Sequence, residues 1–99
     1  YMLRLFVNDR ALNRVVIDSH YEVKHSETIN DPLVLELVKK LNGGTFEYDK
    51  VTSTGWEIYS NDPWFLDRLP YRIVWCLNPE ESYLGVINVF RRPHARISQ

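Results

Sequence analysis

Hydrophobic positions recur in two rhythms along this chain. From residue 31 to residue 41 the rhythm is helical. Leu33, Val34, Leu37, Val38 and Leu41 form one stripe at i, i+4 spacing, while Glu36, Lys39 and Lys40 face away. Asp31 supplies an N-cap and Pro32 stands at the first helical position, where its fixed φ is pre-set for a helix. Asn42-Gly43-Gly44 ends the helix, with glycine providing a left-handed cap. Elsewhere the rhythm belongs to strands. Tyr71-Arg72-Ile73-Val74-Trp75-Cys76-Leu77 and Tyr83-Leu84-Gly85-Val86-Ile87-Asn88-Val89-Phe90 are rich in β-branched and aromatic residues, and a five-residue loop containing Pro79 joins them. This reads as an antiparallel hairpin. Both arms are almost continuously apolar, which places the hairpin in the middle of a sheet.

The other segments are weaker. Residues 3–7 read as a strand, and Asn8-Asp9-Arg10 as a turn. Residues 11–17 are ambiguous, although Val15-Val16-Ile17 favours a strand returning onto residues 3–7. Asp18-Ser19 offers an N-cap for a short helix over residues 21–26. Residues 45–48 and 56–59 alternate as strands do, residues 50–55 turn or continue the first of them, Ser60-Asn61-Asp62-Pro63 reads as a turn, and residues 64–70 as an apolar loop. The tail, residues 93–99, has no apolar stripe, carries His94 and Arg96, and reads as frayed. The sum is an α+β fold in a single domain, residues 1–99. One or two helices pack on a mainly antiparallel sheet of about four strands, with an extra N-terminal strand or hairpin.

Composition narrows the class. A chain of 99 residues with 44% hydrophobic and 25% charged residues is an ordinary globular domain with one core. Three Trp, six Tyr and four Phe are many for this length and suggest a contact surface. The net charge of −1 gives no global attraction to nucleic acid, so any RNA contact needs a local basic patch. The lone cysteine, Cys76, reads as a small buried hydrophobe. No apolar run approaches the ~20 residues of a membrane span, and no apolar leader opens the chain. The chain therefore reads as cytoplasmic, with Met2 as its natural start.

Two clusters could carry chemistry. His20, Lys24 and His25 share one face if their segment is helical. Imidazole moves protons near neutral pH, and a neighbouring cation can hold a phosphate. The competing reading is a solvated helix surface. A metal site is not expected, because the two histidines are five apart and no acidic third ligand is evident; no cofactor is expected either. The second cluster is Arg72, Arg91 and Arg92, flanked by Tyr71 and Tyr83. In an antiparallel hairpin these ends meet, and guanidinium forks suit phosphate oxygens. A base, an acid and a cation suffice for 2′-OH attack on the adjacent RNA phosphate. The competing reading makes these arginines solubilising charges at strand ends.

The order of elements and these residues resemble the RelE-like superfamily of small bacterial toxins, in the branch that includes BrnT and MqsR-type proteins. The hairpin from Tyr71-Arg72 to Arg91-Arg92 resembles the family's late strands. His20, Lys24 and His25 resemble the basic approach to its first helices, and residues 3–17 stand as an addition. The resemblance implies a metal-independent endoribonuclease toxin of a type II toxin–antitoxin system. His20, Lys24, His25 and Arg72 would be catalytic, Tyr71, Arg91 and Arg92 would bind RNA, and a cognate antitoxin would be the partner. The alternative is a non-catalytic protein-binding module on the same scaffold, motivated by the aromatic content and by a Trp64-Phe65-Leu66 knob. Homodimerisation through a strand edge is compatible with either.

Overall fold

One curled sheet dominates the architecture. The structure is a computed structural model and describes residues 1–18 and 29–92. Their elements run β1 (Met2–Val7), β2 (Arg10–Ile17), α1 (Asp31–Lys39), β3 (Lys50–Val51), β4 (Glu57–Leu66), β5 (Leu69–Leu77) and β6 (Tyr83–Arg91). The strand order is β1-β2-β6-β5-β4-β3. All neighbours pair antiparallel except β2 and β6, which run parallel through Arg14↔Tyr83 to Ile17↔Val86.

This corrects the expected fold class. Strands make up 54% of the described residues and curl into a six-stranded mixed half-barrel, rather than a four-stranded sheet carrying one or two helices. Two causes enlarge the sheet. The β-branched run Val15-Val16-Ile17 pairs with β6, so the N-terminal hairpin is integral rather than added. The turn expected at residues 60–63 is a register shift inside one continuous strand, β4, between Asn61 and Trp64. The true reversal follows at Asp67-Arg68, where φ values of 52° and 70° and the Leu66↔Leu69 pair mark a two-residue hairpin turn. Asn8-Asp9, with φ of 54° and 62°, makes the same kind of turn between β1 and β2. Residues 45–48, expected as a strand, form an irregular loop.

The strongest expectations concern α1 and the β5–β6 hairpin, and the structure contains both. Pro32 opens the helix, but the cap is Asn30, whose side-chain oxygen accepts from the Leu33 amide at 3.0 Å. Gly43, at φ 84°, leaves the helix in the left-handed region. The α1 stripe Val34, Leu37 and Val38 is fully buried, as is Leu41. It packs against the inward residues of the sheet, among them Leu5, Val15, Leu84, Ile73, Trp75 and Tyr59, to form one core. Burying each such aliphatic side chain stabilises the fold by about 1.5–3 kcal/mol before chain entropy is counted. No helix among the described residues is long and apolar enough to cross a membrane. The short helix expected over residues 21–26 and the frayed tail lie outside the described residues.

Candidate functional site

The curl of the sheet brings the start of β2 against the start of β4, although β6 and β5 lie between them in strand order. Arg10 bridges the gap. Its two terminal nitrogens donate to the two carboxylate oxygens of Glu57, at 2.8 and 3.0 Å. Such a fork is the strongest form of this pair. The Tyr59 hydroxyl, two residues along β4, donates to Glu57 Oε1 at 3.0 Å and accepts from Asn8 Nδ2 at 2.8 Å. Asn8 sits in the left-handed β1–β2 turn, a conformation that asparagine tolerates. Its Oδ1 accepts from the Phe46 amide at 2.6 Å, and its own amide donates to the Gly44 carbonyl at 3.0 Å. One asparagine thus ties the first hairpin to the loop after α1 and to β4.

Aromatic rings complete the wall. Tyr59 stacks on the fully buried Trp75 at 4.1 Å between centroids and 10° between planes. Phe46 meets Trp75 edge-on at 5.4 Å and Trp64 edge-on at 6.0 Å. Gly44 makes room for that ring, since a Cβ there would lie 2.6 Å from Phe46 Cε2 and Cζ. Tyr48, half exposed, stands at 89° to Tyr59 with centroids 6.4 Å apart. Together Asn8, Arg10, Phe46, Glu47, Tyr48, Glu57 and Tyr59 line an open cleft of about 410 Å³, within the usual range for a ligand site.

The electrostatics of the cleft are those of a settled network. Hydrogen bonds from Arg10 hold the Glu57 carboxyl below the usual carboxylate range, against an opposing push from burial. The same bonds raise Arg10. Burial, helped by the bond to Glu57, pushes Tyr59 up to about 12. At neutral pH the carboxylate stays charged and the phenol stays neutral, so none of the three is placed to exchange a proton.

The arginine cluster expected from the sequence is divided by the sheet. Arg72 pairs with Phe90 and Arg91 with Tyr71, so the two guanidinium groups leave β5 and β6 on opposite faces. Arg72 lies on the outer face, its Cζ 5.8 Å from the Phe90 ring centroid, and its Nε is buried without a hydrogen-bond partner. Arg92 is engaged with Asp62 at 3.1 Å. Tyr71 is 4% exposed and belongs to the core, which leaves its ring no room to stack on a base. His20, Lys24 and His25 lie outside the described residues. The Trp64 knob turns inward, donating its indole N–H to the Leu37 carbonyl at 3.0 Å, while Phe65 faces out. Cys76 is half-buried on the outer face opposite Gly85, and burial pushes its thiol up. No group of His, Cys, Asp and Glu among the described residues could hold a metal ion. Sequence reasoning missed Arg10, Glu57, Asn8 and Tyr59 as a unit, because 47 residues separate the two charges and no local spacing joins them.

No family model matches the chain, and neither a curated protein nor a solved structure does.

Proposed function

We propose that this chain is a non-catalytic binding module that holds its ligand in the cleft between the β1–β2 turn, the loop after α1 and the start of β4. One observation carries the reading. The floor of the cleft is rigid and internally satisfied: Glu57 has both oxygens committed to Arg10 and one also to Tyr59. A general base needs a free lone pair and a pKa near the working pH. A receptor needs preorganised walls, and here Trp75 backs Tyr59 and Phe46. A cytoplasmic location goes with this proposal, because a single cysteine leaves these 99 residues without an internal disulfide.

The test is a fragment screen by NMR on the isotope-labelled chain. Saturable shifts confined to residues 46–48, 57–59 and the Arg10 Nε–H are expected. A screen in which no compound moves those signals would remove the proposal.

One observation favours the second reading, the endoribonuclease toxin with RNA as substrate and an antitoxin as partner. Arg72 presents a guanidinium whose Nε lacks a partner on the outer face, and an unpaired buried donor is unusual unless something completes it. Induced expression of the wild type beside Arg72→Ala, with growth and total RNA followed together, separates the two. Arrest and RNA loss that vanish in the variant would support the toxin. Unimpaired growth with intact RNA would leave the binding module.

A further inference from the structure

The lining of the cleft holds one hydrogen-bonding edge that the fold leaves open. Arg10 gives Glu57 one N–H from each terminal nitrogen, at 2.8 and 3.0 Å. A guanidinium carries five N–H donors in one plane, so part of Arg10 is still unspent. Its Nε–H and the terminal N–H beside it point the same way along the side of that plane, as a second fork. Arg10 lines the cleft, and its side chain is 31% exposed. Among the described residues the buried side-chain atom without a partner belongs to Arg72, not to Arg10, so the second fork reaches solvent. Glu57, itself held by Tyr59, fixes the plane in which this fork is offered.

Two neighbouring coplanar acceptors fit such a fork. A carboxylate has them, and so has the O6/N7 edge of guanine. Charge decides between the two. Glu47 and Glu57 outnumber Arg10 in the lining, and an anion would share one guanidinium with the Glu57 carboxylate. A neutral base meets no such repulsion, and it uses what the rim supplies. Glu47 is exposed, and a carboxylate accepts from guanine N1–H and N2–H₂, on the edge next to O6. Tyr48, at 52%, is the exposed ring of the lining; Tyr59 is 2% exposed and Phe46 turns toward Trp75. A base stacks on such a ring. Adenine places a donor, N6–H₂, where guanine has O6, and opposes the fork. Cytosine has two neighbouring acceptors but a single donor group for Glu47.

We infer that the cleft takes a guanine base, with Arg10 on O6/N7, Glu47 on the N1–H edge and Tyr48 under the ring, an inference that rests on the cleft being the binding site. The base belongs to a free nucleoside or to a single strand; the chemistry at the cleft is the same.

The experiment titrates the full chain by NMR with guanosine, 7-deazaguanosine, adenosine, cytidine and benzoate. Guanosine should saturate signals of residues 46–48, residues 57–59 and the Arg10 Nε–H. 7-Deazaguanosine lacks the N7 acceptor and should bind about tenfold more weakly, and adenosine, cytidine and benzoate at least as weakly as that. These comparisons leave the chain unaltered, so folding does not enter them. Tyr48→Ala should weaken guanosine about tenfold and Glu47→Gln about fivefold, while Tyr48→Phe should retain it, because the ring face makes the contact. Tyr48 and Glu47 are exposed, so these variants should keep the dispersed spectrum of the folded chain. A short single-stranded RNA with one guanine that binds tighter than guanosine assigns the base to a strand; binding no tighter assigns it to a free nucleoside. Equal binding of guanosine and its 7-deaza analogue, or tighter binding of adenosine, cytidine or benzoate, would overturn the inference and leave the cleft reading standing. So would a fragment screen that finds cleft ligands while guanosine fails. If neither guanosine nor any fragment moves the cleft signals, both readings fall together.

Discussion

At the open end of the half-barrel, Asn8 and Arg10 of the first hairpin and Glu57 and Tyr59 of β4 come from two separate stretches of chain and converge. Where β5 and β6 meet at the opposite end of the hairpin, Arg72 and Arg91 leave the sheet on opposite faces, and Arg92 is engaged with Asp62. Both ends carry arginine. What differs is the backbone. The curl of the sheet carries β2 toward β4, whereas the pleat of a single hairpin sends alternate residues to opposite faces. A bulge decides on which face Arg91 stands relative to Arg72. From Cys76↔Gly85 and Trp75↔Val86, the unbroken register would set Arg72 opposite Val89, with Arg91 on Arg72's own face. The shift between Val74 and Trp75 leaves Ile87 without a partner, sets Arg72 opposite Phe90 and turns Arg91 to the other side. Proximity along the chain is thus a poor guide to a shared site in a sheet.

The contrast can be broken most severely from beneath. Trp75 supports Tyr59 and Phe46 and is fully buried, so Trp75→Ala should cost about 3–5 kcal/mol in urea unfolding and dismantle the cleft. A loss under 1 kcal/mol would mean the ring stack holds little. Next, Glu57→Gln should cost about 2 kcal/mol, between the about 0–1 of an exposed ion pair and the about 3–5 of a buried one, since the Glu57 side chain is 13% exposed and that of Arg10 31%.

This effect depends on pH with a definite sign. Because Arg10 lowers Glu57 in the folded state, the contribution is complete above the unfolded carboxylate value near ~4.3 and is lost as pH falls through the lower folded value. The gap between wild type and Glu57→Gln should stay constant from neutral pH to about 5 and shrink below about 4. A gap that widens on acidification would contradict the assignment.

The arginine end should respond less. Asp62→Asn breaks a pair whose partners are 27% and 44% exposed, and the expected loss is under about 1 kcal/mol. The smallest effect belongs to Arg72→Met. It removes a buried Nε that has no partner and keeps a stem that can pack on Phe90, so stability should change by less than about 0.5 kcal/mol in either direction. A loss above 2 kcal/mol would show that Arg72 holds the outer face together.

What the sequence determined by itself is local. The 3.6-residue stripe, Pro32 and the glycines after Leu41 placed α1, and only its cap moved by one residue, from Asp31 to Asn30. Continuous apolar runs around a Pro-containing loop placed β5 and β6 at the centre of the sheet. The tertiary structure decided the rest. Pairing of β2 with β6 joins residues about 70 apart, and the alternation of residues 11–17 carries no mark of its partner. Residues 45–48 alternate like a strand but stay a loop, because Asn8 takes the Phe46 amide and Gly44 lets the ring fold back onto Trp75. Ser60-Asn61-Asp62-Pro63 has turn composition, yet a bulge absorbs it because β4 is held to β5 on both sides. The cleft is the furthest from the sequence. Its charges meet only after the sheet has curled, and curl is a property of strand twist summed over neighbours, which no short window of residues encodes.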